Sequence, residues 1–406
     1  MYYLPQTSPL PPHAGVEAWA ATRAVEQIRA RDGRPSYGFV SFIGPHPPCA
    51  PPIPFNRMYN PDAMASPRRD GPLEIDEADE QIPWMNHAVW AEDLSDATVR
   101  ALRSRYYGEL SYIDQCLGMI LDEVEAGPDG GHNTLICFVS VSALPAFSQP
   151  SLSADSPCVC EQDHGDGLGD HRAWQKENYF EEACKIPFLV SWPAHPVLGK
   201  LGGTVDNRLA GQADLFGIIT AAAGREELRD GVSIMSQLAA GPDTRDDGSG
   251  AGREHFFGLY SEPGSQQFKI MVRSRKTTML SGSDQAFPVK SIHVADRHKY
   301  IYMANGGREV LFDLDEDPSE TVSLCGLTGG GEESDVLTRL RAAGVAYLSA
   351  SPAGAAALDS GSRTGFREHA FEARPLMRID QHAADLGVTG FPEEPGEVLE
   401  RWPARL

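Results

Sequence analysis

Between residues 163 and 187 the chain reads Asp163-His164-Gly165-Asp166-Gly167-Leu168-Gly169-Asp170-His171, then Lys176, Tyr179-Phe180-Glu181-Glu182 and Lys185-Ile186-Pro187. Asp163 and His164 offer a hard carboxylate oxygen and an imidazole side by side, which suit a divalent cation or one oxygen of an oxyanion. The glycines at 165, 167 and 169 let the backbone approach closely and take positive φ. Lys176 is a flexible point charge that can reach a tetrahedral anion held against such a metal. The same run also reads as a solvated, glycine-punctuated loop, so the choice rests on the rest of the chain.

Two other metal readings fail on spacing. In a calcium-binding EF-hand starting at Asp163, glycines would fill the third and fifth ligand positions. Trp174 would then stand where a bidentate glutamate is required. Cys158, Cys160, His164 and His171 lie close in sequence, but C-x-C is not the C-x₂₋₄-C knuckle of a zinc site.

Several elements must position these residues. Val16, Trp19, Val25 and Ile28 fall at helical spacing, and Asp32-Gly33 ends that run before an apolar strand, Tyr37 to Ile43. The strand empties into Gly44-Pro45-His46-Pro47-Pro48. Loops beyond the carboxyl ends of strands carry ligands in open α/β sheets, so His46 stands where a functional histidine belongs. Val99, Leu102, Tyr106, Leu110, Ile113, Leu117, Ile120 and Val124 step by three and four. They predict one long amphipathic helix capped by Ser95 or Asp96 and stopped at Gly127-Pro128. Thr134–Ser140 and Pro187–Trp192 read as buried strands, and Gln212–Ala223 as a helix. Beyond Gly224, short strands at Phe256–Tyr260, Phe268–Arg273, Lys299–Met303 and Glu309–Leu314 predict a smaller antiparallel sheet, with Asn305-Gly306 as a hairpin turn. The tail after Ser349 carries no assignable role.

At 406 residues, 41% hydrophobic and 23% charged, the chain is long enough for one large domain and a smaller one. A net charge of −22 argues against nucleic acid or an anionic membrane as partner, and obliges any anionic substrate to find a locally positive pocket. Seven irregularly spaced cysteines make no disulfide framework. Met1-Tyr2-Tyr3-Leu4-Pro5 lacks the regions of a secretory signal and no apolar run spans a bilayer, so a cytoplasmic location is expected.

His46-Pro47-Pro48, the helix around Tyr112-Ile113-Asp114 and Gly118, the Asp163–Pro187 block and the closing Leu311-Phe312-Asp313-Leu314…Asp317-Pro318-Ser319-Glu320 resemble, in order and spacing, the sulfatase family. The resemblance covers most of residues 15–325. It implies an α/β, alkaline phosphatase-like mixed sheet flanked by helices, with a smaller C-terminal antiparallel sheet. The expected divisions are a catalytic-type α/β domain at 1–225, a smaller subdomain at 226–345 and a tail at 346–406. By the same resemblance, Asp163 and His164 match the pair that binds one divalent cation, usually calcium, with magnesium or manganese as alternatives. Lys176 matches the lysine that neutralises the sulfate and the leaving oxygen, and His46 the histidine that contacts the ester and assists departure of the alcohol or amine. His171 is a further candidate for substrate binding. Asp114, Tyr179 and Glu182 are expected to be structural. The implied substrate is a small-molecule or carbohydrate sulfate ester, or a sulfamate. Asp170-His171 also resembles the phosphodiesterase and phosphonate monoester hydrolase branch of the same superfamily.

The chain departs from the family in two places. No cysteine or serine begins the C/S-x-P-x-R motif that yields the formylglycine nucleophile. Ala65-Ser66-Pro67-Arg68-Arg69 imitates its tail with alanine at the nucleophile position, downstream of His46. A non-catalytic fragment or pseudoenzyme therefore stands as a rival reading. Second, Val141–Gln162 separates Ser140 from Asp163. We read it as a translated, unspliced intron, since GTGAGT can encode Val141-Ser142 and CAG can encode Gln162. A native transcript retaining it as the main species would refute this. Lys276–Ala295 is a weaker case of the same kind.

Overall fold

The computed structural model describes Tyr3, Pro5 and residues 8–69, 81–89, 91–92, 94–139, 160–161, 164–176, 178–206, 208–225, 231–239, 256–261, 268–273, 298–325 and 334–370. Helix α1 (Val16–Ala30) is followed by β1 (Val40–Ser41), α2 (Gln81–Ala88), the long α3 (Asp96–Glu125) and β2 (Ile136–Val139). Next come β3 (Cys160–Glu161), α4 (Glu181–Cys184), β4 (Phe188–Ser191), α5 (Ala213–Ala222) and α6 (Ile234–Ala239).

Helix α3 matches its periodicity. Ser95 is the cap, its hydroxyl accepting the Thr98 amide at 3.2 Å, which satisfies one of the free N–H groups of the first turn. The two halves of the helix bury different faces. Tyr112, Cys116, Ile120 and Val124 pack with α1, Phe42 and Ile136, whereas Val99, Leu102 and Tyr106 pack with Leu168 and Trp174 of the glycine-rich loop. In α1 the face differs from expectation: Val16 and Trp19 are exposed, and Ala18, Ala21 and Val25 form the contact. The alanines let α1 lie close against α3, so small size outweighs hydrophobicity in choosing the buried side.

The strands of this part pair in both senses, as two two-stranded units: β1 parallel with β3, and β2 antiparallel with β4. Alternation along β2 puts Ile136 toward α1 and α3 and Cys137 toward Ile218 of α5 and Ile234 of α6, so helices cover both faces. The strand expected over Tyr37–Ile43 is reduced to Val40–Ser41, because its partner among the described residues is only Cys160–Glu161. Tyr37, Phe39 and Ile43 are exposed. β3 lies beside β2.

The second sheet is antiparallel, in the order β5 (Phe256–Ser261), β6 (Phe268–Arg273), β7 (His298–Met303), β8 (Arg308–Asp313). Arg273 stands opposite Lys299, so residues 274–298 join two adjacent strand ends. On one face Tyr300, Tyr302 and Leu311 pack on α7 (Asp335–Ser349), which the sequence reading had not assigned. Phe366, from the tail left without a role, is wholly buried in the same core; α8 (Pro352–Ala355) lies between them in sequence. On the other face Ile301, Met303, Val310 and Phe312 pack against Ala173, Phe180 and Cys184. The second sheet thus backs the segment around Ala173, Phe180 and Cys184.

Candidate functional site

His46 follows β1 in a turn closed by its amide to the Ile43 carbonyl at 3.1 Å. Its Nδ1 lies 2.9 Å from the Pro47 carbonyl, and its Nε2 lies 3.4 Å from Lys176 Nζ. These contacts agree on one tautomer. A proton on Nδ1 is donated to the carbonyl, and Nε2 accepts from the ammonium. The His164 ring stands 6.4 Å from that of His46, nearly edge-on at 74°. His46, His164 and Lys176, separated by up to 130 residues in sequence, are therefore brought together, each half-buried. Such a group can hold a tetrahedral anion against the ammonium with an imidazole alongside.

Asp163 lies outside the described residues. At His164, Nδ1 is 2.8 Å from the Gly165 carbonyl, which fixes the ring and makes Nε2 the nitrogen a metal would take. This donor suits a divalent cation. Among the described residues no group of three or more His, Cys, Asp or Glu side chains could hold one.

The glycines divide the work expected of them. A Cβ at Gly165 would overlap the Glu182 carbonyl and one at Gly167 the Ala173 carbonyl, so both serve close approach. Gly169 has φ 87°. Four other loop residues are also left-handed: Leu168, His171, Arg172 and Gln175, with φ from 44° to 66°. Each such non-glycine residue is disfavoured by roughly 1–2 kcal/mol, so the loop needs fastening from outside.

Much of that fastening is ionic and buried. Asp170 Oδ1 accepts the Arg68 amide at 2.6 Å and the Arg103 guanidinium at 2.7 Å, and Oδ2 lies 3.2 Å from the Arg68 guanidinium. Arg103, 3% exposed on α3, also donates to the Leu168 carbonyl at 3.1 and 3.2 Å. Arg68 pairs with Glu182 and donates to Ser319 Oγ at 2.6 Å. Burial, reinforced by Glu320, pushes the Glu182 carboxyl up to about 7 against the opposing pull of Arg68. Behind this layer, the wholly buried Lys299 of β7 reaches Glu320 at 2.6 Å, Glu181 at 2.8 Å and the Tyr179 carbonyl at 2.7 Å. The closing Leu311–Glu320 motif thereby supplies Ser319 and Glu320 to the underside of the loop.

His171 sits in this layer, with its side chain 2% exposed. Its ring stacks on Phe180 at 3.8 Å, and Nε2 lies 3.7 Å from Glu182. Burial, then the Arg68 charge, lowers its pKa to about 4, leaving it neutral. As placed, the ring is closed to solvent, beneath the loop rather than beside His46. Asp114 is exposed on α3, and Cys158 lies outside the described residues. Sequence reasoning missed Arg68, Arg103, Lys299 and Glu320 as partners of the loop. The one local signal was a charged residue on an otherwise apolar helical stripe, at Arg103 beside Leu102 and Tyr106.

The fold is that of the alkaline phosphatase superfamily. It superposes on the phosphonate monoester hydrolase of Agrobacterium radiobacter with a TM-score of 0.58 at 21% identity, over 81% of this chain and 60% of that one. The curated relatives it matches include sulfatases, as the sequence resemblance implied. The chain is 26% identical over 325 residues to the multifunctional alkaline phosphatase superfamily protein PehA of Trinickia caryophylli, covering 75% of this chain and 54% of that protein. It is 24% identical over 331 residues to an arylsulfatase of Clostridium perfringens, covering 79% and 56%. The chain thus spans about half the length of the curated relatives it matches. No family model matches it. No helix among the described residues is long and apolar enough to cross a membrane.

Proposed function

We propose that the chain carries the anion-binding and metal-binding part of a sulfuric ester hydrolase acting on a sulfate ester or sulfamate. His46 and Lys176 bind the anion, and Asp163 with His164 hold the divalent cation, calcium in the first instance. The observation that carries this reading is the 3.4 Å approach of Lys176 Nζ to His46 Nε2 beside the His164 ring. The cation, when bound, would polarise the sulfate oxygens as a Lewis acid. Lys176 would lie against the ester's charge. His46, once it carries a proton on Nε2, could pass it to the departing oxygen or nitrogen. No nucleophile motif occurs in the 406 residues, so binding rather than turnover is the property to measure on this chain.

The test is calorimetric titration of the chain with sulfate, with and without calcium, alongside Lys176→Ala and His46→Ala. Removing a charged hydrogen-bond partner of the anion should weaken sulfate binding by roughly ten- to a hundredfold in Lys176→Ala. A wild-type chain that ignores sulfate under both conditions, or two variants that match it, refutes the reading.

A phosphonate monoester hydrolase is the second reading, favoured by the likeness of fold to the Agrobacterium enzyme. The Asp170-His171 pair no longer argues for that branch, because Asp170 is engaged by two arginines and His171 is buried. Titration with methylphosphonate in parallel with sulfate separates the two.

A further inference from the structure

The ionic layer accounts for the middle of the glycine-rich loop but not for its two ends, where His164 enters and Lys176 leaves. Those ends meet at Asp166, which is 9% exposed. Its Oδ1 accepts the Leu168 amide at 2.9 Å and the Gln175 amide at 3.2 Å. These are two of the four left-handed non-glycine residues, and Gln175 immediately precedes Lys176. The Gln175 carbonyl accepts the Gly167 amide at 3.0 Å, completing a closed turn.

The other oxygen of Asp166 is taken by a residue remote in sequence. The Tyr3 hydroxyl donates to Oδ2 and accepts the Gln175 amide at 3.2 Å. Tyr3 is 2% exposed, and its ring lies 4.3 Å from that of the buried Trp174. Burial foremost, then the Asp166 charge, raises the phenol well above its ordinary pKa, so it remains a donor. Left-handed conformations persist where the surroundings over-determine them, and Gln175 is held by Asp166, Tyr3 and Gly167 at once.

We propose that Tyr3 is a positioning residue of the anion site: its hydroxyl fastens Asp166, and Asp166 holds Gln175 in the left-handed turn that carries Lys176 toward His46. The consequence for anion binding rests on the sulfate reading above; the clasp itself does not.

The experiment is Tyr3→Phe in the full chain, which keeps the ring on Trp174 and removes only the hydroxyl. Amide exchange at Leu168 and Gln175 should quicken by about tenfold or more while exchange in α3 stays unchanged, the mark of a local rather than global opening. Sulfate affinity in the presence of calcium should fall by about five- to tenfold at a temperature where both proteins are fully folded, as expected for one lost hydrogen bond to a charged group. Adding Gln175→Gly, since glycine takes φ 66° without a steric penalty, should recover most of that affinity. Unchanged exchange at Leu168 and Gln175 overturns the clasp. Faster exchange with unchanged sulfate affinity, or no recovery in the double variant, overturns the positioning role. If wild type binds no sulfate yet exchange quickens, the clasp stands and the sulfate reading fails. If Tyr3→Phe does not fold, wild-type exchange decides: amides at Leu168 and Gln175 that exchange like exposed loop amides rule the clasp out.

Discussion

Two carboxyl groups converge under the backbone that leads into His46. Glu17 of α1 accepts the Gly44 amide at 3.3 Å, and a Cβ on Gly44 would lie 3.1 Å from Glu109 Oε1 and 3.2 Å from Glu17 Oε1. Both side chains are buried, and the other titratable groups facing them, Tyr112, Cys116 and Cys49, are all pushed up and stay neutral. Burial, then the Glu17 charge, pushes Glu109 up to about 8. The folded chain therefore holds a proton that the unfolded chain releases above about pH 4.5. Stability is fully present below that value and is lost as pH rises toward 8. Linkage gives roughly 1.4 kcal/mol per unit of separation, hence a loss of about 4–5 kcal/mol by about pH 8. Glu109→Gln keeps the shape and abolishes the titration. Urea unfolding of both proteins at about pH 5, 6, 7 and 8 should give near-equal stability at the acid end and a variant more stable by about 4 kcal/mol at the alkaline end. A difference that stays flat across this range would refute the assignment of the retained proton to Glu109.

Two further outcomes follow from the buried ionic layer. Lys299→Met should destabilise the chain by roughly 3–5 kcal/mol, because it strands Glu320 and Glu181 without a cation, and denaturant unfolding checks it. Lys299→Met with Glu320→Leu should recover a substantial part. His171 acts with the opposite sign to Glu109: with its folded pKa at about 4, it contributes stability above the unfolded value near 6.5 that is lost as pH falls through 4. His171→Gln should therefore flatten the acid limb of the stability profile by about 3 kcal/mol at about pH 4, and a limb unchanged from wild type would place the acid sensitivity elsewhere.

What was legible in the sequence is what local pattern encodes. Helix α3 was readable because eight apolar residues keep one period and a serine stands before them. That His46, His164 and Lys176 stand together was expected from the apolar strand before His46 and from the types and spacing of the other two, while Asp163, expected with them, lies outside the described residues. The strands of the second sheet emerged within two residues of expectation. Helix α7 carried its own signal, Ser334 as cap and Leu337, Leu340, Gly344 and Leu348 on one face, and was passed over beside a glycine-rich stretch. The pairings of Arg68 and Arg103 with Asp170, of Lys299 with Glu320 and of Tyr3 with Asp166 were not readable. Each joins residues 67 or more apart, with only Lys299–Glu320 nearer, and a lone charge in a sequence does not disclose which remote charge it meets. His171 shows the same limit. Its position after the glycines resembles a ligand, and only the packing of Phe180 and the second sheet turns it inward.

These pairings bear on where the positive field of the site originates. The chain carries a net charge of −22, so an anionic ester is repelled at long range and needs a local cation at the end of its approach. Three cations lie beneath the loop, Arg103 and Lys299 buried and Arg68 half-buried, but Arg68 and Arg103 share Asp170, Arg68 also holds Glu182, and Lys299 is matched by Glu181 and Glu320. Their fields are largely neutralised at contact distance and serve to brace a strained loop rather than to attract a ligand. On the proposed reading, attraction would fall to Lys176 beside His46 and to any divalent cation taken up at His164. A single lysine against so acidic a chain is a weak anion trap. If sulfate is the ligand, as proposed, its affinity should depend steeply on the divalent cation, with the two arginines acting only through the geometry they impose.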